Sequence, residues 1–300
     1  MKINVAKSAG FCFGVRRAMN IALRTVRTSD NIEMLGDIVH NETVVKEIKK
    51  AGIKKISALR AGDNKTLLIR AHGASQRTCR RAEKLGYRIV DATCPMVKEI
   101  HKIVKTNERE GYRIIIIGDK KHDEVLGIIG QLSGKAIVID PAQQIPRRAL
   151  RRVKKGTVVV QSTQNLDKVL RIVEQVKTLV PDLKFHNTVC KPTRIKQKEI
   201  KKLPLENDVV IVIGSKSSAN TKRLYQIAKS ANPRTFWVQK AKDLKKEMFT
   251  NAKSAGITAG ASTPDQITAE IIDKITALTK TRRRPPSSRK SNPRRSSNSR

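Results

Sequence analysis

The chain has 300 residues, of which 38% are apolar and 3% aromatic, and carries a formal net charge of +37 from 63 Lys and Arg against 26 Asp and Glu. Packed cores are within reach, but no apolar run approaches the ~18 residues that span a bilayer, so the composition points to a soluble protein with acidic or phosphorylated partners. Four cysteines with no signal peptide and no CxxC pair argue against a disulfide framework and for a reducing, cytoplasmic setting.

In chain order, residues 1–29 lack Asp and Glu and set Val15, Ala18, Ala22, Leu23 and Val26 on one helical face, as a mitochondrial presequence does. Cys12 argues for keeping this segment in the fold, because it is in phase with two later cysteines. Short β-rich runs follow at 66–70, 87–91, 113–117, 136–139, 157–160, 208–213 and 235–238. Helical patterns at 76–85, 95–110, 166–180 and 221–230 lie between them. This alternation predicts an α/β protein with mainly parallel sheets. Residues 281–300 hold eight basic, no acidic and no apolar residues, and so predict a disordered basic tail that binds nucleic acid only non-specifically.

A repeat organises the rest. Cys12, Cys94 and Cys190 are each followed 24 residues later by a glycine that opens a polar turn, at Gly36, Gly118 and Gly214. A second set of polar turns, at 71–75, 161–164 and 259–263, ends a strand and precedes a helix. After the first two comes a further strand and a cysteine; after the third the chain runs out, and residues 3–12 supply the missing piece. Three pseudo-symmetric α/β lobes around a central cavity follow from this: 13–93, 94–189 and 190–280, with strand 1–12 docking on the third lobe and bringing Cys12 with it. By the rule that ligands sit beyond the carboxyl ends of parallel strands, thiols and turns should meet at one cavity.

Three thiols brought together this way suit an iron–sulfur cluster with one open iron, or zinc, or mere burial. Cys79 is out of phase and reads as a small buried residue. His40, His72 and His122 fall in the repeated turns, and Ser218, Asn220 and Ser262 occupy the equivalent places in the third lobe. Glycine turns and helix N-termini beside such donors suit a phosphate or diphosphate. Glu124, at a loop-to-helix junction beside that anion, is a candidate proton donor whose pKa neighbouring negative charge would raise.

Taken in order, Gly10-Phe11-Cys12-Phe13-Gly14-Val15, Val39-His40-Asn41, Arg70-Ala71-His72-Gly73, Asp91-Ala92-Thr93-Cys94-Pro95, the 118–127 run, Asn187-Thr188-Val189-Cys190, Gly214-Ser215-Lys216 with Asn220, and Ala259-Gly260-Ala261-Ser262 closely resemble the hydroxymethylbutenyl diphosphate reductase family of the non-mevalonate isoprenoid pathway. The resemblance runs from residue 1 to about 280. It implies a trefoil holding one [4Fe-4S] cluster on Cys12, Cys94 and Cys190, with one iron open. It also implies a substrate diphosphate gripped by His40, His72, His122, Ser218, Asn220 and Ser262. Glu124 would deliver protons to the departing allylic hydroxyl, Thr163 would orient that hydroxyl and the Glu124 relay, and Thr193 would lie nearby. The implied reaction is a two-electron reductive dehydration of (E)-4-hydroxy-3-methylbut-2-enyl diphosphate to isopentenyl and dimethylallyl diphosphate. Reduced ferredoxin or flavodoxin, both acidic, would supply the electrons.

Three positions depart from the family pattern. Ala219 stands where a second serine is usual, and Pro192 and Lys196 where Ala and Arg are usual. A lost hydrogen bond to a charged group costs roughly 1.5–3 kcal/mol unless water or Thr221 replaces it. A rival from another class is a basic nucleic-acid-binding protein with a structural zinc site, which explains the charge but not the symmetric His turns.

Overall fold

The computed structural model of the chain describes residues 1–280; the expected basic tail at 281–300 lies outside the described residues. Strands and helices alternate as the composition of each run dictates. The first part contains β1 (Lys2–Val5), α1 (Phe13–Val26), β2 (Ile32–Leu35), α2 (Glu42–Lys50), β3 (Lys54–Ile56), β4 (Thr66–Ile69), α3 (Gln76–Lys84) and β5 (Arg88–Asp91). The middle contains α4 (Pro95–Arg109), β6 (Arg113–Ile117), α5 (Asp123–Ile129), β7 (Ile137–Ile139), α6 (Arg147–Leu150), β8 (Lys155–Val160), α7 (Leu166–Lys177) and β9 (Asp182–Phe185). The last part contains α8 (Lys191–Lys202), β10 (Val209–Ile213), α9 (Ala219–Ala231), β11 (Thr235–Val238), β12 (Ser254–Ala259) and α10 (Asp265–Thr279). Among the described residues no helix is long and apolar enough to cross a membrane.

The strands form three four-stranded sheets, ordered β3-β2-β4-β5, β7-β6-β8-β9 and β11-β10-β12-β1, and every pairing is parallel. The three orders are the same pattern, so the fold is a trefoil of three α/β lobes. In the third lobe the last place is filled by β1, paired with β12 from Lys2↔Ser254 to Val5↔Ile257. Parallel sheets need cover on both faces, and the alternation of apolar residues along each strand provides for it. In the second lobe Ile114, Ile116 and Val159 pack with Ile100 and Val104 of α4, while Ile115, Ile117, Val158 and Val160 pack with Val169, Val173 and Val176 of α7.

The crossings between lobes matter most for the site. Cys12 follows β1 of the third sheet and opens α1, whose Val15, Ala18 and Ala22 pack in the first lobe with Ile32 and Met34. Cys94 follows β5 of the first sheet and opens α4 of the second lobe. Cys190 follows β9 of the second sheet and opens α8, whose Ile200 packs with Val210 and Val212 of the third. Each thiol therefore stands at a seam.

Two helix limits differ from the sequence pattern for local reasons. The Ser218 hydroxyl accepts from Thr221 N and starts α9 at Ala219, two residues before the expected start at 221. The 166–180 pattern ends as a helix at Lys177, because Thr178 caps it and Val180 turns into the core beneath β9.

Candidate functional site

The carboxyl ends of the strands converge on one cleft, the place where ligands of open α/β sheets sit. Cys12, Cys94, Cys190, His40, His72, His122, Glu124, Thr163, Thr193, Ser218, Asn220 and Ser262 all line it. Cys79 lies elsewhere, in a groove along α3 and α4 that it shares with His101.

At one end are the thiols. All four cysteines are free, and Cys12, Cys94 and Cys190 are each the N-cap of a helix with no side-chain cap hydrogen bond. The three are held alike: the Cys12, Cys94 and Cys190 amides donate to the carbonyls of Ala261, Ala71 and Ser162, each at 3.0 Å. These acceptors belong to the second set of polar turns, so one backbone bond per lobe fixes each thiol. Gly14 makes room for the sulfurs. A Cβ there would stand 2.5 Å from Cys94 Sγ and 3.9 Å from Cys12 Sγ. Burial pushes the Cys94 thiol up and the Cys190 thiol to about 11, against the pull of amides at Met96 and Val97 on Cys94 and of Thr193 on Cys190. The Thr193 hydroxyl lies 3.1 Å from Cys190 Sγ. Three soft donors at three positive helix ends, with no fourth thiol in the cleft, fit a thiolate-held cluster with one position open better than a closed structural zinc.

At the other end are the repeated turns. The His40, His72 and His122 ring centroids lie 4.6–5.5 Å apart. Their ring nitrogens fall within 4.8 Å of one another, a spacing that a metal ion could also use. The tautomer decides between cation and anion. His122 Nδ1 accepts from the Glu124 amide at 3.1 Å, so its proton sits on Nε2 and that nitrogen donates rather than ligates. Burial lowers all three pKa values, that of His122 to about 4 and that of His72 well below the ordinary range. At neutral pH they are uncharged donors. The Asn220 amide nitrogen is buried without a partner, the Ser218 oxygen is used as a cap while its O–H remains to donate, and the Ser262 hydroxyl ties to His40 O at 3.2 Å. An unpartnered buried donor facing a cleft is costly unless a ligand meets it. This end is built for an anion.

Glu124 lies between the two ends, 2% exposed. Ser162 holds both of its oxygens, the amide on Oε1 at 2.6 Å and the hydroxyl on Oε2 at 2.8 Å. Burial pushes the carboxyl above its ordinary range, while the Ser162 bonds and Arg223 oppose that shift. Both hydrogen bonds to the Glu124 carboxyl thus come from Ser162, while Thr163 lines the cleft and its Oγ1 accepts from Gln161 Nε2 at 3.1 Å. Successive side chains in a tight turn point different ways, and the Cys190 amide on Ser162 O sets which of them meets Glu124.

The seams between lobes are closed by side-chain pairs. Arg223, 7% exposed, grips Asp119 with Nη2 at 2.7 and 2.8 Å and donates from Nε to Gln164 at 3.0 Å, joining α9 to the turn that carries His122. Arg70 meets Asp123 at 2.6 Å, and Asp123 lies 3.6 Å from His40 Nε2. Glu42 accepts from Ser215 at 2.9 Å. Polar partners from 53 to 173 residues apart leave no local pattern that would reveal them.

The three departures resolve differently. Ala219 lines the cleft between Ser218 and Asn220. Thr221 does not stand in for the missing hydroxyl, because it is fully buried outside the cleft lining with its Oγ1 packed against Gly214 and Gly260. Pro192 lines the cleft beside Thr193. Lys196 is buried against backbone carbonyls, with its pKa lowered by burial to about 8.

Comparison with known proteins places this arrangement. A family model described as LytB protein matches residues 3–276. The chain is 39% identical over 277 residues to the 4-hydroxy-3-methylbut-2-enyl diphosphate reductase of Aquifex aeolicus (strain VF5), covering 91% of this chain and 95% of that protein. With the protein of the same name from Clostridioides difficile (strain 630) it shares 37% over 274 residues, 91% and 98% of the two chains. A solved structure of (E)-4-hydroxy-3-methyl-but-2-enyl diphosphate reductase, described as the terminal enzyme of the non-mevalonate pathway, superposes with a TM-score of 0.69 at 38% identity. That match covers 92% of this chain and 100% of the other. The E-1-hydroxy-2-methyl-but-2-enyl-4-diphosphate reductase from Plasmodium falciparum gives a TM-score of 0.83 at 28% identity, over 92% and 88% of the two chains.

Proposed function

This chain belongs to the LytB family, and from that premise we propose that it is an oxidoreductase that reductively dehydrates (E)-4-hydroxy-3-methylbut-2-enyl diphosphate. The allylic C–O bond breaks, two electrons and two protons are taken up, and water leaves with isopentenyl or dimethylallyl diphosphate. The observation that carries the reading is the division of one cleft into three equivalent thiols, an anion-binding end, and a single buried acid between them.

Cys12, Cys94 and Cys190 would hold a [4Fe-4S] cluster. Bound there, the cluster would supply the two electrons and, at its open iron, a Lewis acid for the substrate hydroxyl. The chain's own residues do the rest. His40, His72, His122, Ser218, Asn220 and Ser262 receive the diphosphate on neutral donors, so the anion is held without counter-charges that would have to be desolvated with it. Arg70 and Arg223 stand behind, each engaged by an aspartate.

Glu124 gives a proton to the departing hydroxyl. Burial raises its pKa and so favours the protonated form that a proton donor needs. The Ser162 hydroxyl on Oε2 can donate to the carboxylate or accept from the acid, so it steadies both states of the relay. Thr163, lining the same wall, orients the substrate hydroxyl. Reduced ferredoxin or flavodoxin, drawn by the basic body of the chain, is the electron source, and the setting is cytoplasmic. The nucleic-acid-binding alternative accounts for the net charge but leaves the three thiols, the imidazoles and Glu124 of the cleft without a role.

The test is turnover. Protein purified without oxygen, given a reduced viologen and the hydroxylated diphosphate, should release isopentenyl and dimethylallyl diphosphate. Iron-loaded protein that leaves this substrate untouched would overturn the assignment.

A further inference from the structure

Each of the three thiols lies between an edge strand and a helix of the next lobe: β1 pairs with β12 alone, β5 with β4 and β9 with β8. Cys12 differs in its connection. Seven residues, 6–12, separate β1 from α1, against three between β5 and α4 and five between β9 and α8. A longer connection has more backbone freedom to restrain, so Cys12 is the thiol that most needs a local tether.

The face of α8 presents a device that answers this. Thr193, Lys196 and Glu199 recur at the three-residue spacing that aligns side chains along one side of a helix. Thr193 touches Cys190 Sγ. One turn on, the Lys196 ammonium donates to the carbonyls of Ser8, Gly10 at 3.0 Å and Ala259 at 3.1 Å. An ammonium has three N–H donors, and all three are used. Lys196 is 2% exposed, so these carbonyls are what makes its burial tolerable. A further turn on, Glu199 accepts from both the Ser8 amide at 3.0 Å and the Ser8 hydroxyl at 2.5 Å. Ser8 is thus held through its N–H, its O–H and its C=O by two charged residues of one helix.

We propose that Lys196, together with Glu199, is a positioning residue for Cys12. The pair clasps the Ser8–Gly10 backbone to α8 and to the end of β12, so that the Cys12 thiol is held in register with Cys190, which caps the same helix. The spacing between two of the three thiols is then set by one rigid element. The inference rests on the cluster reading for its consequence, but its geometry concerns the protein alone. It also gives the position where arginine is usual in the family a definite task. A compact ammonium with three tetrahedral donors fits three converging carbonyls, where a planar guanidinium would have to spread them.

The test uses the full chain, loaded with iron and sulfide without oxygen, in the variants Lys196→Met, Lys196→Arg and Glu199→Ala. Hydrogen exchange is followed by mass spectrometry over residues 2–12, and iron release to a chelator is timed in parallel. Lys196→Met should speed exchange over residues 6–12, including the Cys12 amide on Ala261 O, by ten- to a hundredfold, and should speed iron release about tenfold. Lys196→Arg, which keeps the charge but not the fit to three carbonyls, should recover only part of the protection, and Glu199→Ala, which leaves the buried ammonium in place, should show a smaller change confined to the same segment. Exchange over residues 6–12 that matches the parent in both Lys196→Met and Glu199→Ala would overturn the proposal. So would a rise spread equally over β10 and β12, since that is the mark of a general support for the lobe. A parent protein that takes up no iron would instead count against the cluster reading and leave the exchange result to stand by itself.

Discussion

The two ends of the cleft follow the same threefold plan and keep it to different degrees. At the thiol end the symmetry is nearly strict: three helix N-caps, three free thiols, three amide-to-carbonyl bonds of equal length. At the turn end it is broken. Two lobes offer His40 and His122, the third offers Ser218 and Asn220, and the second alone adds Glu124 with its Ser162 clamp. A cluster needs equivalent ligands, and a repeated unit supplies them without further change. A proton must arrive from one side of the substrate, and a threefold arrangement has no sides until one lobe departs from the others. On the proposed reaction the site would be symmetric where the cluster is held and asymmetric where the proton is delivered.

The comparison can be broken most sharply at Glu124. Glu124→Gln keeps the shape and the Ser162 contacts but removes the proton, so turnover should fall by about 10²–10⁴, with iron and sulfide content unchanged. Turnover near the parent rate would take Glu124 out of the reaction and leave the asymmetry unexplained. Ser162→Ala removes one hydrogen bond to a buried carboxyl, worth roughly 1.5–3 kcal/mol, or about 10- to 150-fold in rate. Thr163→Ala should cost less, and the reverse order would make Thr163 rather than Ser162 the main support of the Glu124 relay.

The smallest effect concerns the neutrality of the imidazoles. His122 and His101 titrate at about 4 in the folded protein, against ~6.5 in an unfolded chain. Between those values the unfolded chain binds more protons, so the stability these groups contribute is complete above pH ~6.5 and is lost as the pH falls toward 4. The urea midpoint should therefore decline over that window, and His101→Asn, outside the cleft, should flatten the decline. A midpoint that rises on acidification would mean that the folded protein prefers its imidazoles charged.

Much of the architecture was legible because the repeat is local. An interval of 24 residues from cysteine to glycine is one helix and one strand, and its recurrence fixed three α/β lobes before any packing was known. The histidine and serine turns were visible for the same reason, since they close those units at the same phase. What stayed hidden depends on how the lobes meet. Whether Ser162 or Thr163 meets Glu124 turns on the twist of a single loop, and both carry a hydroxyl. Arg223 with Asp119 and Arg70 with Asp123 lie in different lobes and look like ordinary helix and turn charges in the sequence. Lys196 drew notice only as a departure, and its burial against three carbonyls needs β1 to be in place.

The central claim is that the thiol end is a symmetric site for a redox cluster, and iron and acid-labile sulfide analysis of protein purified without oxygen tests it most directly. The parent protein should be brown with iron and sulfide near four of each, as a [4Fe-4S] cluster requires, and Cys12→Ser, Cys94→Ser and Cys190→Ser should each lose the cluster, while Cys79→Ser keeps it. A colourless parent that carries zinc, or a full cluster in any one of the three variants, would contradict the account.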